Sequence, residues 1–288
     1  MKHIKLFENF DRSSIDDICK KYNITNYTIN EDDSIDVDGN VNISNRDLIE
    51  LPIKFKYVHG DFLCSFNRFS SLLGFPEYVG GDFDCMSNEL TTLEGCPSEI
   101  RGNFSCNNNK LTSLQHFPYI IGNNIDISFN NLTSFDNYLP TEINGDFECS
   151  NNRLSNLKGS PESIGSLLNI ENNNITSFHW MPKKVKGSIA LRGNNIQSIK
   201  YLEECDFDNI YGDTYVELLY DIFKDHLKDY DEAMDIISKF DDFNIVTNLD
   251  MNVKTINLKR LNKFIDFYDL NELTDSQIDT IKNDFDVL

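Results

Sequence analysis

A chain of 288 residues, 40% hydrophobic and 12% aromatic, carries enough apolar material for one large core or two modest ones and is not a disordered polymer. Its formal net charge of −21 repels phosphate backbones and anionic lipid, which argues against nucleic-acid and membrane partners and leaves a basic protein patch as the compatible one. No apolar run reaches the roughly 18 residues of a membrane span, and seven cysteines, four of them at one repeated position, make no disulfide framework.

Residues 1–36 read as an N-terminal cap. The opening MKHIKLFENF lacks the apolar core and small-residue cleavage site of a secretory signal, so the expected setting is the reducing cytoplasm. Ser14 is placed to cap a helix whose Ile15, Ile18, Cys19 and Tyr22 fall at helical spacing. Tyr27–Asn30 and Ser34–Val37 then predict a hairpin about Glu31-Asp32-Asp33 that delivers the chain into the first repeat.

Residues 37–205 are a repeat array. The segments GDFLCSFNRFSSLLGFP (60–76), GDFDCMSNELTTLEGCP (81–97), GNFSCNNNKLTSLQHFP (102–118) and GDFECSNNRLSNLKGSP (145–161) align without gaps. Their anchor residues are Ile43, Cys64, Cys85, Cys106, Ile127, Cys149, Ile170 and Leu191, about 21 apart with one extra residue in the fifth unit. Two residues earlier stands a large apolar group, from Val41 and Phe62 to Ile189, so anchor and partner face one side of a short strand. Three residues later comes an asparagine, Asn67 to Asn194, with Arg46 the exception; stacked amides at that corner would satisfy buried backbone groups. Six of the seven prolines fall at one far-side position and predict an irregular return path. A glycine before each strand is expected to let the chain turn.

Residues 206–288 lose the repeat and take helical spacing: Asp213 before Val216, Leu219, Tyr220, Phe223 and Leu227; then 232–240, 257–270, and a capping box from Thr274 to Gln277. A helical C-terminal cap or module is expected.

The units resemble those of the leucine-rich-repeat family, LxLxxNxLxxL. They are most similar to a subgroup reading GDFxCSxNxLTSLEGxP, found in proteins of large tailed bacteriophages and some bacteria; MKHIKLFENF is also similar to the opening of many such phage proteins. The resemblance implies an α/β-type repeat solenoid, a parallel β-sheet arc of about eight repeats, that binds a protein in the host cytoplasm. A structural or packaged component of a phage particle is the alternative. Repeat effectors with a ubiquitin-ligase domain use a Cys-x-Asp motif, which Cys205-Asp206-Phe207 does not match.

The five histidines have no metal-ligand spacing, no nucleophile or phosphate-binding motif is present, and neither catalysis nor a cofactor or metal is expected. Cys64, Cys85, Cys106 and Cys149 belong to the core face and read as small hydrophobes. Side chains alternating with that core form the expected concave face: Asp61, Asp82, Asp84, Asp126, Asp146, Glu148 and Glu171, with Phe66, Met86 and Phe129 as apolar anchors just beyond. That combination fits a basic, partly apolar protein surface; the far-side residues His116, Tyr138, Trp180 and Tyr201 offer a second surface.

Overall fold

The computed structural model describes residues 12–196, 205–211, 246–250 and 253–256, together with isolated positions between 261 and 287. The chain winds as a parallel β-solenoid of about eight turns with a period of about 21 residues. Each turn contributes a two- or three-residue strand to a nine-stranded main sheet, running in spatial order from Val41–Asn42 through Phe62–Leu63, Phe83–Asp84, Phe104–Ser105, Ile125–Asp126, Phe147–Glu148, Leu168–Asn169 and Ser188–Ala190 to Asn209–Tyr211. Pairing is in register at equivalent repeat positions, for example Phe62↔Phe83, Phe83↔Phe104 and Ile125↔Phe147. The main sheet therefore continues one strand past Cys205, where the repeat spacing breaks down in sequence.

The return path is more regular than its prolines suggest. Two residues after each of the six far-side prolines the chain forms a second short strand. The first three of these, with Phe55–Val58 and the N-terminal strands Tyr27–Ile29 and Ile35–Val37, build a six-stranded sheet ending at Ile120–Ile121, and the last three a three-stranded one from Glu142–Ile143 to Lys184–Val185. The division falls at the extra residue of the fifth unit. Other far-side corners place one residue in the left-handed region (Gly74, Gly95, His116, Gly159, Trp180), whereas this one places two, Asp136 and Asn137. The shifted return strand no longer meets Ile120–Ile121; Asn144 Nδ2 instead donates to the Gly122 carbonyl at 3.0 Å. The main sheet runs through this point unbroken.

Between the sheets lies one apolar core. Every anchor residue from Ile43 to Leu191 is fully buried, as are the large residues two positions earlier. Phe62, Phe83 and Phe104 stand one per turn with centroids 5.9 Å apart, the last pair stacked at 9°. Each ring removed from water stabilises the fold by about 1.5–3 kcal/mol, so the stack ties consecutive turns together where no single turn buries its own faces.

At the N-terminal end an α-helix (Arg12–Lys21) buries Ile15 and Cys19, and Ser14 lies inside its first turn. The hairpin forms as Tyr27–Ile29 against Ile35–Val37, and its second strand pairs in parallel with Phe55–Val58, so it opens the second sheet. The leader, residues 1–10, lies outside the described residues, as does Asp11.

Beyond the solenoid, the described residues include a hairpin, Val246–Asp250 with Val253–Ile256, joined by Asp286–Val287. These are strands where the sequence pattern predicts only helices. The expected helices over 213–227 and 232–240 fall outside the described residues. Of the later two, Leu261, Ile265, Asp275 and Ile278 are helical, and Ile278 N–H donates to the Thr274 carbonyl at 3.0 Å. No helix among the described residues is long and apolar enough to cross a membrane.

Candidate binding face on the main sheet

Side chains on the outer side of the main sheet fall into rows, one member per turn, because parallel in-register pairing stacks equivalent residues about 4.8 Å apart.

The entrance row is Asn40, Asp61, Asp82, Asn103, Asn124 and Asp146, and it is a hydrogen-bond ladder. Each Oδ1 accepts the backbone N–H of its counterpart in the next turn: Asn40 from Asp61 (2.9 Å), Asp61 from Asp82 (2.9 Å), Asp82 from Asn103 (2.7 Å), Asn103 from Asn124 (3.1 Å), Asn124 from Asp146 (2.8 Å), and Asp146 from Leu167 (3.0 Å). Asp61, Asp82 and Asp146 thus use a carboxylate oxygen to hold neighbouring turns together. A glycine precedes the donor in four of the six rungs (Gly60, Gly81, Gly102 and Gly145; Asn123 and Ser166 stand in the other two), and it leaves room for the accepting oxygen. A Cβ at Gly102 would lie 2.3 Å from Asp82 Oδ1, and one at Gly145 1.9 Å from Asn124 Oδ1. Neither has a positive φ, so the glycine is present for room and not for a turn.

The middle row is Asn42, Leu63, Asp84, Ser105, Asp126, Glu148, Asn169 and Ala190. Here a carboxylate or amide caps the backbone two residues on: Asp84 accepts from Met86 N–H (3.0 Å), Asp126 from Ser128 N–H (2.9 Å), and Asn169 from Glu171 N–H (3.0 Å). Glu148 pairs with Asn169, so Glu171 stands two residues past the middle row, in an exit row with Ser65, Met86, Ser128 and Ser150. Burial raises the carboxyl of Asp84 above the usual carboxylate range, and the charges of Asp126 and Asp82 add to this; burial likewise raises Glu148, with Asp126, Asp146 and Glu171 contributing. No described lysine or arginine forms an ion pair with Asp61, Asp82, Asp84, Asp126, Asp146 or Glu148. One row past the corner, by contrast, Glu89 lies between Arg68 (3.6 Å) and Lys110 (3.1 Å).

The corner itself is held by the asparagine ladder. Asn109 Nδ2 donates to the carbonyls of Cys85 (3.1 Å) and Cys106 (3.0 Å), and its Oδ1 accepts Leu90 N–H at 3.0 Å; Asn67 to Asn194 repeat the pattern. Each amide serves the preceding turn. The first turn has none before it, which is why Arg46 can stand there, exposed.

Just before each ladder asparagine the backbone is left-handed, with φ between +52° and +71° at Asn45, Phe66, Ser87, Asn108, Phe129, Asn151, Asn172 and Gly193. Asparagine and glycine suit that conformation, and bulky phenylalanine does not. Phe66 and Phe129 are nonetheless there and are 55% and 54% exposed, whereas Met86 is half-buried.

The thiols of Cys64, Cys85 and Cys149 donate to the carbonyls of Asp84, Ser105 and Asn169, and burial pushes all four repeat cysteines, Cys106 included, far above the ordinary thiol range. Cys205 is pushed up to about 12 by burial and by Asp206. Such thiols are protonated packing groups and poor nucleophiles. Among the described residues no three His, Cys, Asp or Glu side chains are grouped to hold a metal ion.

Of the far-side residues, His116 is exposed, Tyr138 is 41% and Trp180 46% exposed, and the Trp180 ring stacks on His179 at 3.7 Å; Tyr201 lies outside the described residues. No protein-family model matches this chain, and no curated protein matches it as a relative.

Proposed function

We propose that this chain is a leucine-rich-repeat-type scaffold that catalyses no reaction and takes hold of a basic protein through the outer face of its nine-stranded sheet. The observation that carries this reading is that, among the described residues, no lysine or arginine forms an ion pair with the middle-row carboxylates Asp84, Asp126 and Glu148, beside which the structural acids Asp61, Asp82 and Asp146 add further negative charge. Burial and the neighbouring carboxylates raise the carboxyls of Asp84 and Glu148, so holding both ionised at neutral pH costs stability in the free protein. A cationic partner relieves that repulsion, steers association and fixes register. The repeat units GDFxCSxNxLTSLEGxP support the narrower reading of a phage-encoded adaptor or inhibitor working in the host cytoplasm.

The test removes charge without removing the backbone caps. Asp84→Asn and Glu148→Gln in one chain keep an acceptor at each site. Affinity capture from a bacterial host lysate should yield a basic protein that is lost both at high salt and with the double variant. Capture by the variant equal to that by the parent chain, with the same salt dependence, removes the acidic face from the argument.

A further inference from the structure

The corner row carries information that the acidic rows do not. Eight successive turns place a residue in the left-handed region at this corner, and six use asparagine, serine or glycine. The two phenylalanines give up backbone stability there, and their rings are more than half exposed, so they contribute little to the core. Residues that are unfavourable both for the backbone and for solvation are explained by something they touch outside the chain.

Their spacing specifies what that is. Phe66 and Phe129 are three turns apart, with Ser87 and Asn108 between them; Asn108 Nδ2 donates to Ser87 Oγ at 3.0 Å, which keeps the intervening stretch low and polar. Three inter-strand steps make about 14 Å. An extended chain rises about 3.4 Å per residue and returns its side chains to the same face every second residue, so residues four apart meet that span at about 13.6 Å. A helix does not: its same-face residues fall near 10.5 Å for a separation of seven and near 16.5 Å for eleven. Along the same 14 Å lie Asp84 and Asp126, neither of them paired with a cation among the described residues.

Building on the acidic-face reading above, we propose that Phe66 and Phe129 are paired anchors for one extended, lysine- or arginine-bearing segment of the partner, lying across the strands with two apolar side chains four residues apart and its cationic side chains reaching Asp84 and Asp126.

Synthetic lysine peptides of a single composition, each with two leucines separated by three, four, five or six residues, test this against the full chain by fluorescence anisotropy at low salt. The four-residue spacing should bind about tenfold more tightly than the others. Phe66→Asn or Phe129→Asn should each bring it down to their level, while the thermal midpoint of the variant stays equal or rises. A fall in thermal midpoint in either variant overturns the proposal, because it makes the ring a structural element. One affinity for every spacing, unaffected by either substitution, overturns the anchor pair and leaves the acidic face standing. A peptide set that does not bind at all at low salt overturns both readings.

Discussion

Replacing Asn109 by alanine tests the account of how the turns are joined. The amide is buried, 8% exposed, and accepts the N–H of Leu90 while donating to the carbonyls of Cys85 and Cys106. Alanine leaves Leu90 N–H without an acceptor and removes one donor from each carbonyl, at a corner too dry for water to replace them. An orphaned buried donor costs about 1–3 kcal/mol, and with the two weakened carbonyls the loss should be about 3–5 kcal/mol. A whole domain has roughly 5–15 kcal/mol of stability, so the variant should unfold at far lower urea in equilibrium denaturation followed by circular dichroism. Arg46→Ala is the internal control: it occupies the same offset in the first turn, is exposed, and should change stability by no more than about 0.5 kcal/mol. Asn109→Asp adds a pH signature. A carboxyl facing two carbonyls has its folded-state pKa raised, so the protonated form is the stable one, and stability should be highest below the unfolded value and decline as pH rises through the folded value. A loss below about 1 kcal/mol for Asn109→Ala would refute the view that the amide ladder joins the turns.

The repeat cysteines should resist thiol reagents at pH 9 in the native chain and react at once on unfolding. Their raised pKa means that stability is fully present below the ordinary thiol range and is lost as pH rises above it, which a denaturation series between neutral and strongly alkaline pH will read. Gly102→Ala places a Cβ 2.3 Å from Asp82 Oδ1 and should cost about 1–3 kcal/mol; a double-mutant cycle with Asp82→Ser should recover part of that loss, and strict additivity would show that the two residues do not meet. Asp84→Asn with Glu148→Gln should raise the urea midpoint at neutral pH. The sign follows from carboxyl pKa values raised in the folded state: their contribution is present below the unfolded value and lost as pH rises through the folded one, so the variant's advantage should vanish in acid and shrink with salt.

The repeat was legible because each offset makes a single physical demand that every turn repeats. Apolar residues two apart, the asparagine three later and the far-side proline mark the main strand, its corner and its return, and the structure places each of them accordingly. The second sheet was not legible, since Tyr78–Val79 or Glu99–Ile100 gives only a two-residue pattern, too short to show alternation. The entrance ladder was visible and misjudged. Gly-Asp or Gly-Asn opens most units, and reading the glycine as a turn residue hid the fact that it clears space for the acidic or amide side chain of the preceding turn. Glu171 was named with the other acids of the face, but its unit carries Leu167 and Asn169 at the entrance and middle positions, so its carboxylate falls in the exit row, a distinction that needs the strand register. The anchors Phe66 and Phe129 were named from sequence as apolar groups, but their left-handed backbone is a property of the corner that no residue type in those two units announces.

Because every turn has the same backbone, the chain supplies its own reference for each position. Asn45, Ser87, Asn108, Asn151, Asn172 and Gly193 show what the corner favours, and Phe66 and Phe129 depart from it. Asn42, Ser105 and Asn169 show that the middle row can be filled without charge, and Asp84, Asp126 and Glu148 depart from it. Both departures lower stability, through left-handed strain in one row and mutual repulsion in the other. Both fall between the second and the sixth turns of the main sheet. Entrance-row acids are different in kind: Asp61, Asp82 and Asp146 do the same backbone work as Asn40, Asn103 and Asn124, so a carboxylate there needs no partner to account for it. The acidic face thus separates into entrance-row carboxylates that tie turn to turn and middle-row carboxylates at Asp84, Asp126 and Glu148, where Asn42 and Asn169 show that the backbone cap itself needs no charge; with the two phenylalanines these are the positions that the proposed partner would engage.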